Sequence, residues 1–325
     1  MGTVSWPGGV EARPIDKSDT AAWAELLAAK EKVDQEGENY DADDLLEELS
    51  DPKLNAARDT IGLWSDGQMV GYGTVNTPSD VVDVHRIRTE AVTRPDWRGR
   101  GLGSALLTWV IRRAGELHAE LRPDVAGEIN TSAISTNTGA DALLKSFGFE
   151  ECRYFFHMHR PLDTPVPEVP VPDGLRLVPF DASMNETLRV IHNEVFLDHW
   201  GSVPKDPDSW RVWFTGSRAF RGGSSYLLLD GDQIVAYVLG YEYVADTEAT
   251  GVRELYVGQV GTRRSHRGRG LARIVLARVM AEAAKAGYQR VSLGVDADNP
   301  TGALGLYERL GFAVVTKTIT YRLPL

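Results

Sequence analysis

The chain has 325 residues, of which 42% are hydrophobic and 25% charged, with a formal net charge of -11 and one cysteine. That length is a soft prior for two domains, each with enough apolar material for its own core. The lone Cys152 excludes a disulfide framework and a cysteine-based zinc site and fits a reducing compartment, while the acidic balance argues against nucleic acid as the main partner. No apolar run approaches the ~20 residues that a membrane helix needs. The opening MGTVSWPGGV has neither a secretory layout nor the myristoylation pattern, Trp6 standing at its sixth position. The expectation is a cytoplasmic protein without a membrane partner.

In chain order, ARPID (12–16) reads as an opening strand and AAWAELLAAKEKV (21–33) as a helix. An acidic helical stretch, ENYDADDLLEELSD (38–51), reads as a solvated face, or as a wall that steers a cationic ligand. A hairpin follows over 61–75 with its turn at Asp66-Gly67, then an extended segment, the loop RGRGLG (98–103) and a helix, LGSALLTWVIRRAGELH. The proline-rich PLDTPVPEVPVPDG (161–174) lacks the donors and dihedrals for helix or sheet and predicts a semi-rigid linker. Beyond it the order repeats: LRLVPFD (175–181), helix NETLRVIHNEVF (185–196), a hairpin with Asp230-Gly231, the loop RGRGLA (267–272), and helix LARIVLARVMAEAAKAG with Gly287 as its stop. LLKSFGF (143–149) likewise returns as LYERLGF (306–312). The domains predicted are 1–160 and 175–325, two copies of one unit. Each is an α/β unit with a mixed central sheet flanked by helices, because hairpins accompany the crossover helices.

The loops carry the chemistry. Glycines turn the chain tightly from a strand into a helix, where backbone N–H groups and the helix dipole favour a phosphate or pyrophosphate. Arg98, Arg100, Arg267 and Arg269 add cationic donors beside them. Neither loop is a Walker loop, and Ser104 and Arg273 stand where G-x-G-x-x-G requires its third glycine.

These paired loops, each followed by Asn and then a Gly-Phe pair, resemble the GCN5-related N-acetyltransferases (GNAT) over nearly the whole chain. The resemblance implies that acetyl-coenzyme A binds as co-substrate, its pyrophosphate on Arg98, Gly99, Arg100, Gly101, Leu102 and Gly103 in the first half. Arg267, Gly268, Arg269, Gly270, Leu271 and Ala272 would do so in the second. Val92 and Val260, in the segments before the loops, are assigned to the coenzyme with them, as is Asn299 beside its pantetheine arm. In ELYVGQV (254–260), Gly258-Gln259-Val260 lies nearest the splay where a backbone N–H polarises the thioester carbonyl.

Acetyl transfer to an ammonium group needs a base, a donor for the developing oxyanion and a proton for the departing thiolate. Glu254, in an apolar strand where burial would raise its pKa, and Tyr307, at the family's tyrosine position, suit the first and third tasks. Taken singly, each also reads as a strand-end carboxylate and a packed helix residue. The first half sets Leu144 opposite Tyr307 and Arg86 or His85 opposite Glu254 while keeping Asn137. The second half is therefore expected to be catalytic and the first structural or coenzyme-holding.

This tandem layout is similar to the mycothiol synthases, which acetylate the cysteinyl amine of a pseudo-disaccharide. The expected partner is a small-molecule amine, with Asp198, His199 and Trp200 in the acceptor region 196–214. Other amines (aminoglycosides, amino acids, peptide N-termini) and a non-catalytic acyl-coenzyme A sensor stand as alternatives. His157 and His159 read as outward strand residues without further ligands at metal spacing, so no metal is expected. Cys152 reads as a buried apolar residue, and the tandem chain as a monomer whose halves supply a pseudo-twofold pair.

Overall fold

In the computed structural model, which describes residues 5–78, 81–299 and 302–325, the first hairpin joins β2 (Thr60–Ser65) to β3 (Gln68–Asn76). Its turn residues Asp66 and Gly67 have φ of 50° and 77°, the left-handed pair that matches strand twist. With β1 (Glu11–Arg13) and β4 (Val84–Thr93) these form an antiparallel run, β1-β2-β3-β4. β5 (Ala126–Ile134) then pairs parallel to β4, over Val84–Arg88 and Ala126–Asn130.

The helices of this unit are α1 (Thr20–Asp34), α2 (Ala42–Leu49), the short α3 (Ala56–Asp59), α4 (Leu102–Leu121) and α5 (Thr138–Ser146). On α4, Leu102, Leu106, Val110, Ala114 and Leu117 recur at helical spacing and are buried against Ile61, Val75, Ile87 and Ile129. Fully burying each large aliphatic side chain stabilises by about 1.5–3 kcal/mol. On the other face, α1 and α2 bury Trp23, Leu26, Leu45 and Leu49 against Trp64, Met69 and Tyr72. A capping box between Asp41 and Asp44 starts α2.

The second unit repeats the plan. Its antiparallel run is β7 (Leu175–Pro179), β8 (Tyr226–Asp230), β9 (Gln233–Tyr241) and β10 (Glu254–Thr262), after which β11 (Arg290–Asp296) pairs parallel to β10. Its helices are α6 (Asn185–Phe196), α7 (Pro207–Trp210), α8 (Val244–Thr250), α9 (Leu271–Lys285) and α10 (Ala303–Arg309). The β8–β9 turn lies at Gly231-Asp232, one residue later than expected, because Asp230 pairs with Gln233. Among the elements that escaped the sequence reading are the short α3 and α7, the helix α8, closed by Gly251 at φ 69°, and a π turn over Arg211–Thr215 after α7.

The unit boundaries require a correction. The first unit is Met1–Tyr154 with Thr318–Leu325, and the second is Phe155–Lys317, so a division at 160 and 175 does not hold. Each unit takes in a strand from the other half of the chain. Thr318–Pro324 of β12 (Ala313–Pro324) pairs antiparallel with β5, and Phe155–Pro161 of β6 (Glu150–Pro161) pairs antiparallel with β11. The proline-rich segment is not a free linker. Val166, Val169 and Val171 pack on the second unit's core, and the buried Arg160 donates to the carbonyls of Thr164 and Pro165. Prolines cannot donate to a ladder, but an arginine can satisfy their carbonyls. Cys152 is half-buried rather than buried, its thiol donating to the Thr320 carbonyl.

Candidate active site

Each Gly-Arg-Gly loop leads directly into a helix. Gly99 and Gly101 have φ of 75° and 84°, and Gly268 and Gly270 have 75° and 73°, a backbone that side chains other than glycine rarely adopt. Gly101 and Gly270 are the N-caps of α4 and α9 and contribute no capping side chain. The first-turn N–H groups therefore keep their donors for an anion. Leu102 and Leu271 bury their side chains in the cores and offer only backbone N–H groups. At Gly103 a Cβ would sit 3.0 Å from Leu143, so α5 approaches this loop closely.

The arginines divide in role. Arg98 grips Asp34 with two hydrogen bonds of 2.8 and 2.6 Å and also donates to the Thr93 carbonyl. Arg267 donates to the carbonyls of Thr262 and Val195 and to Asp198. Both therefore brace their loop to the end of the preceding long helix rather than point at a ligand. Arg100 lies 4.5 Å over the Trp97 ring, and Arg269 is exposed. Asp198 is corrected accordingly. Its carboxylate is committed to two guanidiniums, Arg264 and Arg267, whose hydrogen bonds hold its pKa below the usual range and whose charges already offset its own. His199 stacks on Phe196 at 4.3 Å, and Trp200 lies 6.5 Å from Phe155. Trp210 is buried in the core beside α6 and Trp213 is exposed.

In the second unit β10 and β11 stay paired from Glu254 and Arg290 only as far as Val257 and Leu293. A bulge between Val257 and Gln259 lies at that point, leaving Gly258 out of the β9 register and Gln259 and Val260 beyond it. Glycine is required there, since a Cβ would lie 2.6 Å from the Tyr241 ring.

Glu254 is buried at the start of β10, accepting from Arg290 Nε and Ser292 Oγ, with His159 Nε2 3.9 Å from its Oε2. Each carboxylate oxygen has two lone pairs, so one on each remains for an amine. Burial pushes the His159 imidazole down to about 4. His157, His159 and Glu254 have donor atoms within 4.8 Å of one another, so the expectation that no further ligand lies near these histidines is overturned by β10. Tyr307 is buried against Phe312, and burial together with Tyr256 raises its phenol. Asn299 lies in the turn after β11, its N–H bonded to the Asp296 carbonyl.

In the first unit β4 and β5 part after Arg88 and Asn130. Matching each strand to its hairpin partner sets Arg86 opposite Glu254, because β10 carries a bulge and β4 runs from Arg88 to Thr93 without one. The ion pair is reversed between the units: Arg86 on β4 with Glu128 on β5, but Glu254 on β10 with Arg290 on β11. His85 hydrogen-bonds His118 and Thr77, and burial holds it down at about 4. Val92, Asn137 and, from the loop, Arg98, Gly99, Gly101 and Gly103 line a cavity of about 500 Å³ that also takes in Glu48, Tyr72 and Glu90. Asn137 serves as well as the N-cap of α5, accepting from Ala140 N–H.

Sequence reasoning missed the partners of Glu254 and the acidic end of this cavity. Period-two alternation in RVSLGVDA places Arg290 and Ser292 on one face, and the spacing of Leu45, Glu48 and Leu49 puts Glu48 on the inner side of α2.

No helix among the described residues is long and apolar enough to cross a membrane. The acetyltransferase (GNAT) family matches residues 21–149 and again 185–312. The chain is 30% identical to a mycothiol acetyltransferase from Nocardia farcinica, over 98% of this chain and 97% of that protein. It is 26% identical to one from Salinispora arenicola, over 97% and 98%. A crystal structure of a GCN5-related N-acetyltransferase from Sphaerobacter thermophilus superposes with a TM-score of 0.78 at 25% identity, covering 98% of this chain and 97% of that one. A tandem GNAT protein from the clavulanic acid biosynthesis pathway shares the fold, with a TM-score of 0.73 at 17% identity over 97% and 98%. With both halves matched, the chain belongs to the GCN5-related N-acetyltransferase family and is an N-acetyltransferase.

Proposed function

We propose that the second unit transfers the acetyl group of acetyl-coenzyme A to the primary amine of a small molecule, as the mycothiol acetyltransferases named above suggest. The observation that carries this reading is the strand parting at Gly258, with a buried carboxylate on the same strand and a capless Gly-Arg-Gly helix start after it. The loop's N–H groups take the pyrophosphate, and the parted strands give the pantetheine arm a neutral, narrow seat. Glu254 accepts a proton from the bound ammonium. The free amine attacks the thioester carbonyl, the N–C bond forms and the C–S bond breaks. The backbone at the bulge, out of the ladder, supplies a donor for the developing oxyanion. The thiolate leaves with the proton of Tyr307, whose raised pKa keeps it protonated at neutral pH, and the second proton of the attacking nitrogen, released as the amide forms, restores the tyrosine. The first unit, with Leu144 and Arg86 at the matching positions, does not turn over.

The test measures amine-dependent thiol release from acetyl-coenzyme A. Glu254→Gln is expected to lower kcat by about 10²–10⁴-fold, the usual reach of general base catalysis, and Tyr307→Phe by less. Unchanged turnover in both variants, with loss in an Arg98→Ala variant, would place the reaction in the first unit.

A further inference from the structure

Glu254 has neighbours that the transfer chemistry does not use. On β6, His157 and His159 stand opposite Gly294 and Ser292 of β11. On the other side of β11, Glu254 and Tyr256 of β10 stand opposite Arg290 and Ser292. Residues directly opposite on paired strands share a face. The middle strand offers only a serine and a glycine between the histidines and Glu254, so side chains from β6 and β10 meet above it. The fold does not require imidazoles there. At the matching positions of the first unit, opposite Asn130 and Ser132 of β5, stand Arg322 and Thr320.

The distances fit a bridging ion. The donor atoms of His157, His159 and Glu254 lie within 4.8 Å of one another. His159 Nε2 is buried and has no hydrogen-bond partner among the described residues. It stands 3.9 Å from Glu254 Oε2, too far for a hydrogen bond. Two ligands on a tetrahedral ion with bonds of about 2.0 Å are about 3.3 Å apart, so small side-chain rotations close the set. Two imidazoles and a carboxylate suit zinc, cobalt or nickel, whereas magnesium and calcium take oxygen ligands. Three protein ligands also leave a coordination position for water. Arg290 is the competing cation on Glu254. It reaches the carboxylate with a side chain 25% exposed, and the oxygens keep lone pairs beside its hydrogen bond.

We propose that the second unit holds a site for a divalent first-row metal ion, made by His157, His159 and Glu254, and that an ion bound there excludes the acceptor's ammonium from Glu254. The site stands on geometry alone; the exclusion rests on Glu254 being the base, as proposed above. The test is titration of cobalt(II) into the full-length protein, followed by the visible absorption that intensifies when imidazole and carboxylate replace water. Saturation at one equivalent and well below millimolar is expected, with zinc displacing the cobalt and magnesium not. His157→Gln, His159→Gln and Glu254→Gln should each weaken binding by at least the roughly 100-fold that loss of an outer-shell partner can cost. Melting temperatures show which variants fold, and those that do decide. An unaltered cobalt spectrum, unchanged affinity in the folded variants, or displacement by magnesium would each overturn the site. Amine-dependent acetylation, read by product mass because zinc binds thiols, should stop with one equivalent of zinc and return with a chelator. Turnover that persists in zinc-loaded protein although Glu254→Gln lowers it would overturn the exclusion. Turnover that survives Glu254→Gln would overturn the catalytic reading, and the exclusion with it, without touching the site.

Discussion

Strand β4 of the first unit and strand β10 of the second occupy the same place in the same plan, yet they carry opposite chemistry. β10 begins with a carboxylate held by a guanidinium on its neighbour, and β4 begins with the guanidinium and leaves the carboxylate next door. Farther along, β10 bulges at Gly258 and has a neutral glutamine, whereas β4 runs without a bulge and places a glutamate in a cavity. The scaffold tolerates either polarity because each buried charge keeps its partner, which is what burial demands. The chemistry of a unit is thus set by which strand of the pair bears the carboxylate.

The sharpest way to break this comparison is to change the carboxylate and its mirror together. Against the large loss expected for Glu254→Gln, Arg86→Gln should change turnover by less than about twofold, since a general base is missing only in the former. Equal losses in steady-state kcat would show that the units are not divided in labour. Next in size is the loop backbone. Gly270→Ala forces a side chain into φ of 73° and should raise KM for acetyl-coenzyme A about tenfold, at a strain of about 1–2 kcal/mol, while Gly101→Ala leaves KM unchanged. Smaller still is the brace. Asp198→Asn frees Arg264 and Arg267 and should raise KM for acetyl-coenzyme A a few-fold with kcat intact; a rise confined to the acceptor's KM would restore Asp198 as a substrate ligand.

Acid should separate the two units through stability rather than turnover, each in its own pH range. In the first unit burial, with His118 and Arg122, holds His85 at about 4 against 6.5. The unfolded chain therefore takes up a proton first, and stability falls as pH drops from 6.5 to about 4. In the second, burial opposes ionisation of Glu242, but hydrogen bonds from Arg253, Arg221 and Tyr288 outweigh it and hold the group at about 2 against 4.5. Its contribution is full above 4.5 and is lost as pH falls through about 2. Each effect is on the order of 2 kcal/mol after allowance for solvent screening. Chemical denaturation across pH should show His85→Asn flattening the upper window and Glu242→Gln the lower one.

What could be read from the sequence was local. Turn dipeptides, the Gly-Arg-Gly loops and the spacing of α4, α6 and α9 depend on neighbours within a few residues, and the structure places them close to where they were expected. What could not be read was long-range. Nothing near Glu254 in sequence announces Arg290, Ser292 or His159, which reach it from β11 and β6. The choice between His85 and Arg86 turned on a bulge, which shifts register by one without changing the residue pattern around it. Glu90 stands eight residues before Arg98 in the sequence, and the fold puts it in the cavity with the loop. The prolines of 161–174 spoke against helix and sheet but could not say what the valines between them would cover.

The exchange of closing strands bears on how the protein is made. The first unit lacks the partner of β5 until Thr318–Pro324 has been synthesised, although β1 to β5 all precede residue 135. On the ribosome, the edge of β5 therefore waits, open, through the translation of the whole second unit, a period in which unpaired strand edges invite wrong pairing. A gene cut within the proline-rich segment gives two fragments, each missing a strand that the other carries. Mixing the purified fragments, rather than expressing either alone, is then the way to recover both folded units.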